Sequence, residues 1–332
     1  MKTIVVSGAH SNVGKTSLAL KIVNLLHNAV YIKIGHGALR EGKAGVFYHT
    51  GTSFDTIRKD HQDAAYLIIE SNRILNEITP DCAIYLTGSP QKPSAVEARK
   101  KADIIRGARV APEVTEQLCA RLELPKTIVK KIVWLAGSRP VHTSAIILAG
   151  GKSRRMGTDK ALLEIDGKKN VLRLQNLLEP YFDDTILSIS AEKEISFKNI
   201  TVVKDLEEGH GPLMGIYSSL EASRSPVNFV IACDIPVVNM TLLFELLAQS
   251  EEYDIAAPSF AEGQCEPLFA VYTKAAAPAA QKVLKEKKRR IIELFHECTT
   301  SIVPSPDNSW YVNLNTPDDF RNFLSTLQKA AG

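Results

Sequence analysis

A chain of 332 residues is too long for one ordinary core and divides naturally into two domains of about 140 and 190 residues. Its 45% hydrophobic and 23% charged residues are those of a water-soluble globular protein, and a formal net charge of only +3 excludes a surface built to coat nucleic acid. The five cysteines (Cys82, Cys119, Cys233, Cys265 and Cys298) are odd in number and show no Cys-x-x-Cys or Cys/His ligand spacing, which excludes a disulfide framework and a zinc site and fits a reducing compartment.

The first half alternates strand and helix signals. Thr3–Ser7 is β-branched and apolar. Lys15–Leu26 carries Leu18, Ile22, Leu25 and Leu26 at helical spacing. Val30–Ile34, Tyr66–Ile69, Cys82–Leu86 and Ile128–Leu135 read as further buried strands, and strands alternating with helices imply a mostly parallel sheet. Between Gly35 and Asp55 periodicity is lost, so a long loop or hairpin is expected.

Gly137-Ser138-Arg139-Pro140-Val141-His142-Thr143 concentrates turn and breaker residues between apolar stretches. A first domain over 1–137, a linker over 138–143 and a second domain over 144–332 follow. In the second domain the strand signals are Ser144–Leu148, Thr185–Ser190, Ile200–Val203, Asn228–Ala232, Ile255–Pro258 and Leu268–Tyr272, with helices at Asn170–Leu178, Leu213–Ala222 and Thr241–Gln249. The basic run Lys285–Arg290 reads as the solvated end of a helix. Ile4-Val5-Val6 is too short for a signal-peptide core and no apolar run approaches a membrane span, so a cytoplasmic protein is expected, with neither membrane nor nucleic acid as partner.

Each half opens on a glycine-rich loop directly after its first strand. The first is Gly8-Ala9-His10-Ser11-Asn12-Val13-Gly14-Lys15-Thr16. In such a strand–loop–helix turn, successive backbone N–H groups and the helix N-terminus surround phosphates. Gly14 belongs to that cradle, Lys15 reaches the β- and γ-phosphates, and the Thr16 hydroxyl is a ligand for Mg²⁺. Ala9 stands where the strict Gly-x-x-x-x-Gly-Lys-Thr pattern has glycine. Glu70, at the end of an apolar strand, either polarises water or holds Mg²⁺ through water, or is a surface carboxylate. His10 and His36 read as polar loop groups. The loop, with Lys33-Ile34-Gly35-His36-Gly37 after the second strand, resembles the molybdopterin-guanine dinucleotide biosynthesis protein B (MobB) family, and more broadly the dethiobiotin-synthetase-like and cobyrinic-acid-synthase-like ATPases. That resemblance implies a P-loop domain that binds GTP in an accessory role.

The second loop is Leu148-Ala149-Gly150-Gly151-Lys152-Ser153-Arg154-Arg155-Met156-Gly157-Thr158-Asp159-Lys160. Paired glycines let the backbone approach a base and triphosphate, and Arg155 and Lys160 bring fixed positive charge to a departing pyrophosphate. Further along come Asp205, Gly211-Pro212-Leu213-Met214-Gly215, Cys233-Asp234-Ile235-Pro236, Glu266-Pro267-Leu268-Phe269-Ala270-Val271-Tyr272 and Asn313-Leu314-Asn315-Thr316-Pro317. Together these resemble the nucleotidyltransferases that build activated sugars and cofactors, and most closely the molybdenum cofactor guanylyltransferase (MobA) family.

The resemblance implies two three-layer α/β domains, P-loop NTPase-like and then Rossmann-like, and transfer of GMP from GTP to the terminal phosphate of molybdopterin or molybdenum cofactor. Leu148, Ala149, Gly150, Gly151, Lys160, Asp205, Asp234 and Asn315 are then the nucleotide-binding positions. Asp234 carries Mg²⁺, and Lys160 and Arg155 shield phosphate charge. A carboxylate at the C-terminal end of a central strand also sits where α/β sheets bind ligands. Asn315 is either a metal or substrate contact or a helix N-cap. One position departs from the family: Ser190-Ala191 stands where it often has Asn. Gly150 favours GTP over the CTP of related cytidylyltransferases, whose loop tends to read Leu-Ala-Ala-Gly. Molybdoenzymes or other cofactor-pathway proteins are the implied recipients. A CTP-using enzyme, and a first domain acting as a nucleotide-gated partner switch, remain as alternatives.

Overall fold

The structure, a computed structural model, describes residues 1–36, 40–42, 45–150, 163–165, 167–261, 264–305 and 307–331. The chain forms two compact units, Met1–Pro140 and Val141–Gly332. Among the described residues no helix is long and apolar enough to cross a membrane.

The sheet of the first unit comprises β1 (Lys2–Gly8), β2 (Ala29–Gly35), β3 (Arg40–Gly42), β4 (Gly45–His49), β5 (Tyr66–Glu70), β6 (Cys82–Leu86) and β7 (Ile104–Ile105). Their spatial order is β3-β4-β2-β5-β1-β6-β7. Every neighbouring pair is parallel except β3 with β4. Around it lie α1 (Lys15–Leu25), α2 (Phe54–Asp60), α3 (Pro93–Lys100), α4 (Pro112–Leu122) and α5 (Lys126–Leu135). Strand alternation sends Ile4 and Val6 to one face, with Leu18, Ile22, Leu118 and Ile132, and Val5 to the other, with Ile57, Ala95 and Ala98. A central parallel strand buried on both faces needs this continuous apolar run.

Two expectations are revised here. Ile128–Leu135 is not a strand but most of α5. Its β-branched content imitates a strand, yet Val129, Ile132 and Val133 fall three and four residues apart and are buried against α1 and α4, so helical periodicity prevails. The segment from Gly35 contains the antiparallel pair β3–β4, and α2 begins before its end, with the Ser53 hydroxyl accepting from the Thr56 N–H at 3.3 Å.

In the second unit the elements are β8 (Thr143–Leu148), β9 (Glu164–Ile165), β10 (Lys168–Lys169), α6 (Asn170–Leu178), β11 (Asp184–Ile189), β12 (Thr201–Lys204), α7 (Pro212–Ala222), β13 (Val227–Ala232), α8 (Met240–Gln249), β14 (Ile255–Ala261), β15 (Gln264–Cys265), β16 (Phe269–Thr273), α9 (Ala276–Lys285), α10 (Ile291–Phe295), β17 (Thr300–Pro304) and α11 (Pro317–Ala331). The main sheet runs β12-β11-β8-β13-β16-β14-β15, with β17 also on β14. β12, β11, β8 and β13 are mutually parallel, whereas β16 runs antiparallel to both β13 and β14. The chain order reverses at β8: β11 is added on one side and β13 on the other, the arrangement that opens a crevice at the strands' C-terminal ends. Residues 285–290 lie exposed past α9, as a solvated helix end should.

The residues expected as a linker are drawn into the two units. Ser138 is buried, its hydroxyl donating to the Ile105 carbonyl at 2.8 Å, and Thr143 is the first residue of β8.

Candidate functional site

In the first unit the loop after β1 closes on Gly14, whose φ of +95° is the left-handed conformation that glycine adopts without strain. Lys15 then opens α1, and its ammonium donates to the carbonyls of His10 at 2.6 Å and Ser11 at 3.4 Å. The Thr16 hydroxyl donates to Glu70 Oε2 at 2.6 Å, bringing together residues 54 positions apart. Tyr31 donates to the same oxygen at 2.6 Å, and Lys33 Nζ lies 3.3 Å from Glu70 Oε1 and 3.3 Å from Thr16 Oγ1.

Glu70 is therefore no surface carboxylate. It is 5% exposed, with both oxygens engaged. Burial raises its pKa, but the hydrogen bonds from Thr16 and Tyr31 and the charge of Lys33 outweigh that and hold it below the ordinary glutamate value. An anion so saturated is a poor general base. Two further cations reach the loop: Lys92 Nζ donates to Ser11 Oγ at 3.0 Å, and Arg106 to the Val13 carbonyl at 3.0 Å. Burial lowers the Lys15 pKa; Glu70 opposes this, while the like charges of Lys33 and Lys92 add to it. Concentrated positive charge around exposed backbone N–H groups suits a polyphosphate.

In the second unit Asp234 follows β13 at the crevice, and neighbouring elements tie its backbone down. The Cys233 N–H donates to the Leu148 carbonyl at 2.9 Å, which anchors the turn to the end of β8. Buried Asn170, from α6, donates to the Cys233 carbonyl at 2.7 Å, and Arg173 donates to the Pro236 carbonyl. The Leu314 N–H donates to the Asp234 carbonyl at 2.8 Å, so the Asn313–Asn315 segment comes to Asp234 although 79 residues separate Asn313 from it (313 − 234). Asn315 is exposed and is not the cap of α11. That cap is reciprocal between its neighbours: the Asp319 N–H donates to Thr316 Oγ1 at 3.2 Å, and Asp319 Oδ2 accepts from the Thr316 N–H at 2.8 Å and the Asn315 N–H at 3.1 Å. Asp318 and Asp319 also put negative charge on the positive end of that helix.

Asp205 sits just past β12, its N–H donating to the Ile189 carbonyl at 2.9 Å. A Cβ at Gly150 would lie 3.6 Å from Asp205 Oδ2, and one at Gly215 would lie 3.5 Å from Oδ1 and 2.8 Å from Ser188 Oγ. The two glycines thus leave room for the carboxylate at the end of β8. Among the described residues, Asp205 Oδ1 and the neighbouring Ser190 Oγ are buried without a hydrogen-bond partner. Burial pushes the Asp205 carboxyl up to about 6. Arg155, Lys160 and Gly151 lie outside the described residues.

Three contributors escaped sequence reasoning. Asn170 is a positioning residue for the Asp234 turn. Asn313 Oδ1 is another buried acceptor without a partner among the described residues, beside Tyr311, whose hydroxyl donates to Glu266. Lys193 donates to the Ala149 carbonyl at 2.8 Å. None belongs to a contiguous motif, and the turn residues around Lys193 offered the only signal. Among the described residues no group of three or more His, Cys, Asp and Glu side chains could hold a metal. One carboxylate, Asp234, with the amide oxygen of Asn313 nearby is a hard-oxygen set. It fits Mg²⁺, which takes one or two carboxylates and completes its shell with water and substrate phosphates.

Comparison with known proteins bears on the second unit. Residues 145–299 match the MobA-like NTP transferase domain family. A protein of Pelotomaculum thermopropionicum named probable molybdenum cofactor guanylyltransferase is 33% identical over 186 residues, covering 54% of this chain and 90% of that protein. One of the same name from Methanosarcina mazei is 34% identical over 208 residues, covering 57% and 93%. The crystal structure of molybdopterin-guanine dinucleotide biosynthesis protein A from Archaeoglobus fulgidus, at 24% identity, superposes with a TM-score of 0.50 over 56% of this chain and 99% of its own, a likeness of fold. The chain accordingly belongs to the MobA-like nucleotidyltransferases, the family of the molybdenum cofactor guanylyltransferases.

Proposed function

We propose that the second unit transfers GMP from GTP to the terminal phosphate of molybdopterin, with or without bound molybdenum. An oxygen of the acceptor phosphate forms a bond to the α-phosphorus, the α–β phosphoanhydride bond breaks, and pyrophosphate leaves with the electron pair. Asp234, fastened at the β8–β13 crevice by Asn170, Leu148 and Leu314, is the observation that carries this reading. It would hold Mg²⁺, which when bound neutralises phosphate oxygens as charge moves to the leaving group. Lys160 and Arg155 take the remaining phosphate charge, in the roles the family resemblance implies. Leu148, Ala149, Gly150 and Gly151 bring backbone close to the nucleotide, and Asp205 and Asn315 contact it. Such a transfer needs positioning and charge neutralisation more than covalent help.

The first unit, residues 1–137 with the linker 138–143 leading to the domain at 144–332, is a MobB-like P-loop domain. It binds GTP through Gly14, Lys15 and Thr16, with Thr16 as a ligand for Mg²⁺. The saturation of Glu70 favours binding over rapid hydrolysis, and so favours a nucleotide-gated switch that presents the product to a molybdoenzyme or another cofactor-pathway protein. A cytoplasmic location completes the proposal.

The test is to incubate the full chain with Mg²⁺, molybdopterin and each of GTP, CTP, ATP and UTP, and to follow pyrophosphate. Release is expected with GTP. A higher kcat/KM with CTP overturns the donor, and no release with any nucleotide overturns the transfer.

A further inference from the structure

The turn after β11 is where this chain lacks the asparagine that its family often carries. Ser190-Ala191-Glu192-Lys193 occupies it, closed by the Lys193 N–H donating to the Ser190 carbonyl at 3.0 Å. The turn carries the Lys193 side chain back over the nucleotide loop, where its ammonium reaches the Ala149 carbonyl at 2.8 Å. On the far side of the next residue stands Asp205, with Oδ2 3.6 Å from the Cβ position of Gly150. A cationic donor and an anionic acceptor therefore bracket the Ala149–Gly150 peptide. Asp205 Oδ1 and Ser190 Oγ are buried there with no hydrogen-bond partner among the described residues. A buried acceptor left without a donor is costly, so its donor is expected to arrive with a ligand.

The purine edges differ in what they offer. Guanine presents an acceptor at O6 and donors at N1 and the 2-amino group. Adenine presents a donor at N6 and an acceptor at N1, and cytosine a donor at N4 and an acceptor at N3. A carboxylate only accepts and an ammonium only donates. The pair is complementary to guanine and mismatched to adenine and cytosine.

We propose that Lys193 and Asp205 together read the base of the donor nucleotide, Asp205 accepting from N1–H and the 2-amino group of guanine and Lys193 donating to O6. This rests on the reading of the second unit as a GTP-using transferase. Gly150 then has a specific purpose, because a methyl group at that position would stand against Asp205 Oδ2 and screen it from the base. Lys193 supplies in this chain a base contact from the turn where relatives carry an amide side chain.

The experiment measures kcat/KM for GTP, inosine triphosphate (no 2-amino group), 6-thioguanosine triphosphate (a sulfur at position 6, a poorer acceptor) and 2′-deoxyguanosine triphosphate. It uses the full chain with Mg²⁺ and molybdopterin. The wild type should favour GTP over the inosine and thio analogues by about tenfold or more, the worth of one good base-edge contact. Asp205→Asn should bring the GTP/inosine ratio close to one while the GTP/thio ratio survives. Lys193→Met should do the reverse, and Lys193→Asn should restore part of the thio discrimination by returning a donor. A structural role for either residue would lower all four nucleotides together, which sinks the proposal. Asp205→Asn acting on the deoxy analogue instead would place the carboxylate on the ribose and also overturn it. Wild-type protein that transfers from CTP, or not at all, would count against the GTP reading itself, a result distinct from either outcome in the variants.

Discussion

The two nucleotide loops solve the same electrostatic problem in opposite ways. Around Lys15 the polar groups satisfy one another: Glu70 accepts from Thr16 and Tyr31 and is paired with Lys33, and the lysine ammonium rests on its own loop's carbonyls. Around Gly150, by contrast, Asp205 and Ser190 keep buried atoms with no partner among the described residues. A closed network stabilises the fold and leaves ligand recognition to cations and backbone N–H groups. An open one costs stability and acquires selectivity, because only a ligand with matching donors completes it. The first loop is thus suited to holding any triphosphate, and the second to choosing one.

Variants can break that contrast. The largest effect is expected from Asp234→Ala, which should cut pyrophosphate release on the order of 10³-fold while leaving the thermal midpoint nearly unchanged, since the turn is held through backbone carbonyls. Near-wild-type release would remove Asp234 from the chemistry. Lys15→Ala should weaken the nucleotide-binding event of the first unit at least tenfold in calorimetry and leave transfer within about twofold, because the two sites are separate. Equal damage to both would show that one site serves both tasks.

The contrast also predicts stability effects of opposite sign. Glu70→Gln should destabilise by about 1–3 kcal/mol at neutral pH, by leaving Lys33 without its counter-charge and one hydroxyl poorly paired. Because the folded-state pKa of Glu70 is held down, its contribution is present above the ordinary glutamate value and is lost as pH falls through the lowered one. The variant should therefore converge on wild type in acid, as measured by denaturant midpoints from pH 7 to pH 3. Asp205→Asn should behave in the reverse manner. Its carboxyl is pushed up to about 6, so wild type is least stable, relative to the variant, above that pH. At pH 8 the variant should gain up to about 1 kcal/mol, a few degrees in thermal midpoint and modest because solvent still screens the site, and at pH 5 the gain should shrink. A loss at pH 8 would mean that Asp205 has a structural partner.

Much of this was legible in the residues because it is local. A glycine-rich loop, its strand and its following helix are contiguous, so both phosphate-type loops could be recognised where they stand, and alternation in Ile4-Val5-Val6 announced a strand buried on both faces. The misreading of Ile128–Leu135 shows the limit: β-branched composition and helical spacing disagreed, and packing against α1 and α4 decided. Asn315 shows another, since a cap and a ligand look alike until the reciprocal bonds of Thr316 and Asp319 are seen.

What the sequence alone determined was the set of chemical groups and the α/β alternation that carries each loop to the end of a strand. Only the tertiary structure decided their company. It set Thr16 on Glu70, drew Asn313–Asn315 to Asp234, and placed Lys193 and Asp205 on either side of the Ala149–Gly150 peptide. Hydrogen bonding acts over about 3 Å. Groups tens of residues apart come within that reach only when strand order and crossover direction are settled, and burial then determines which of them remain in want of a partner.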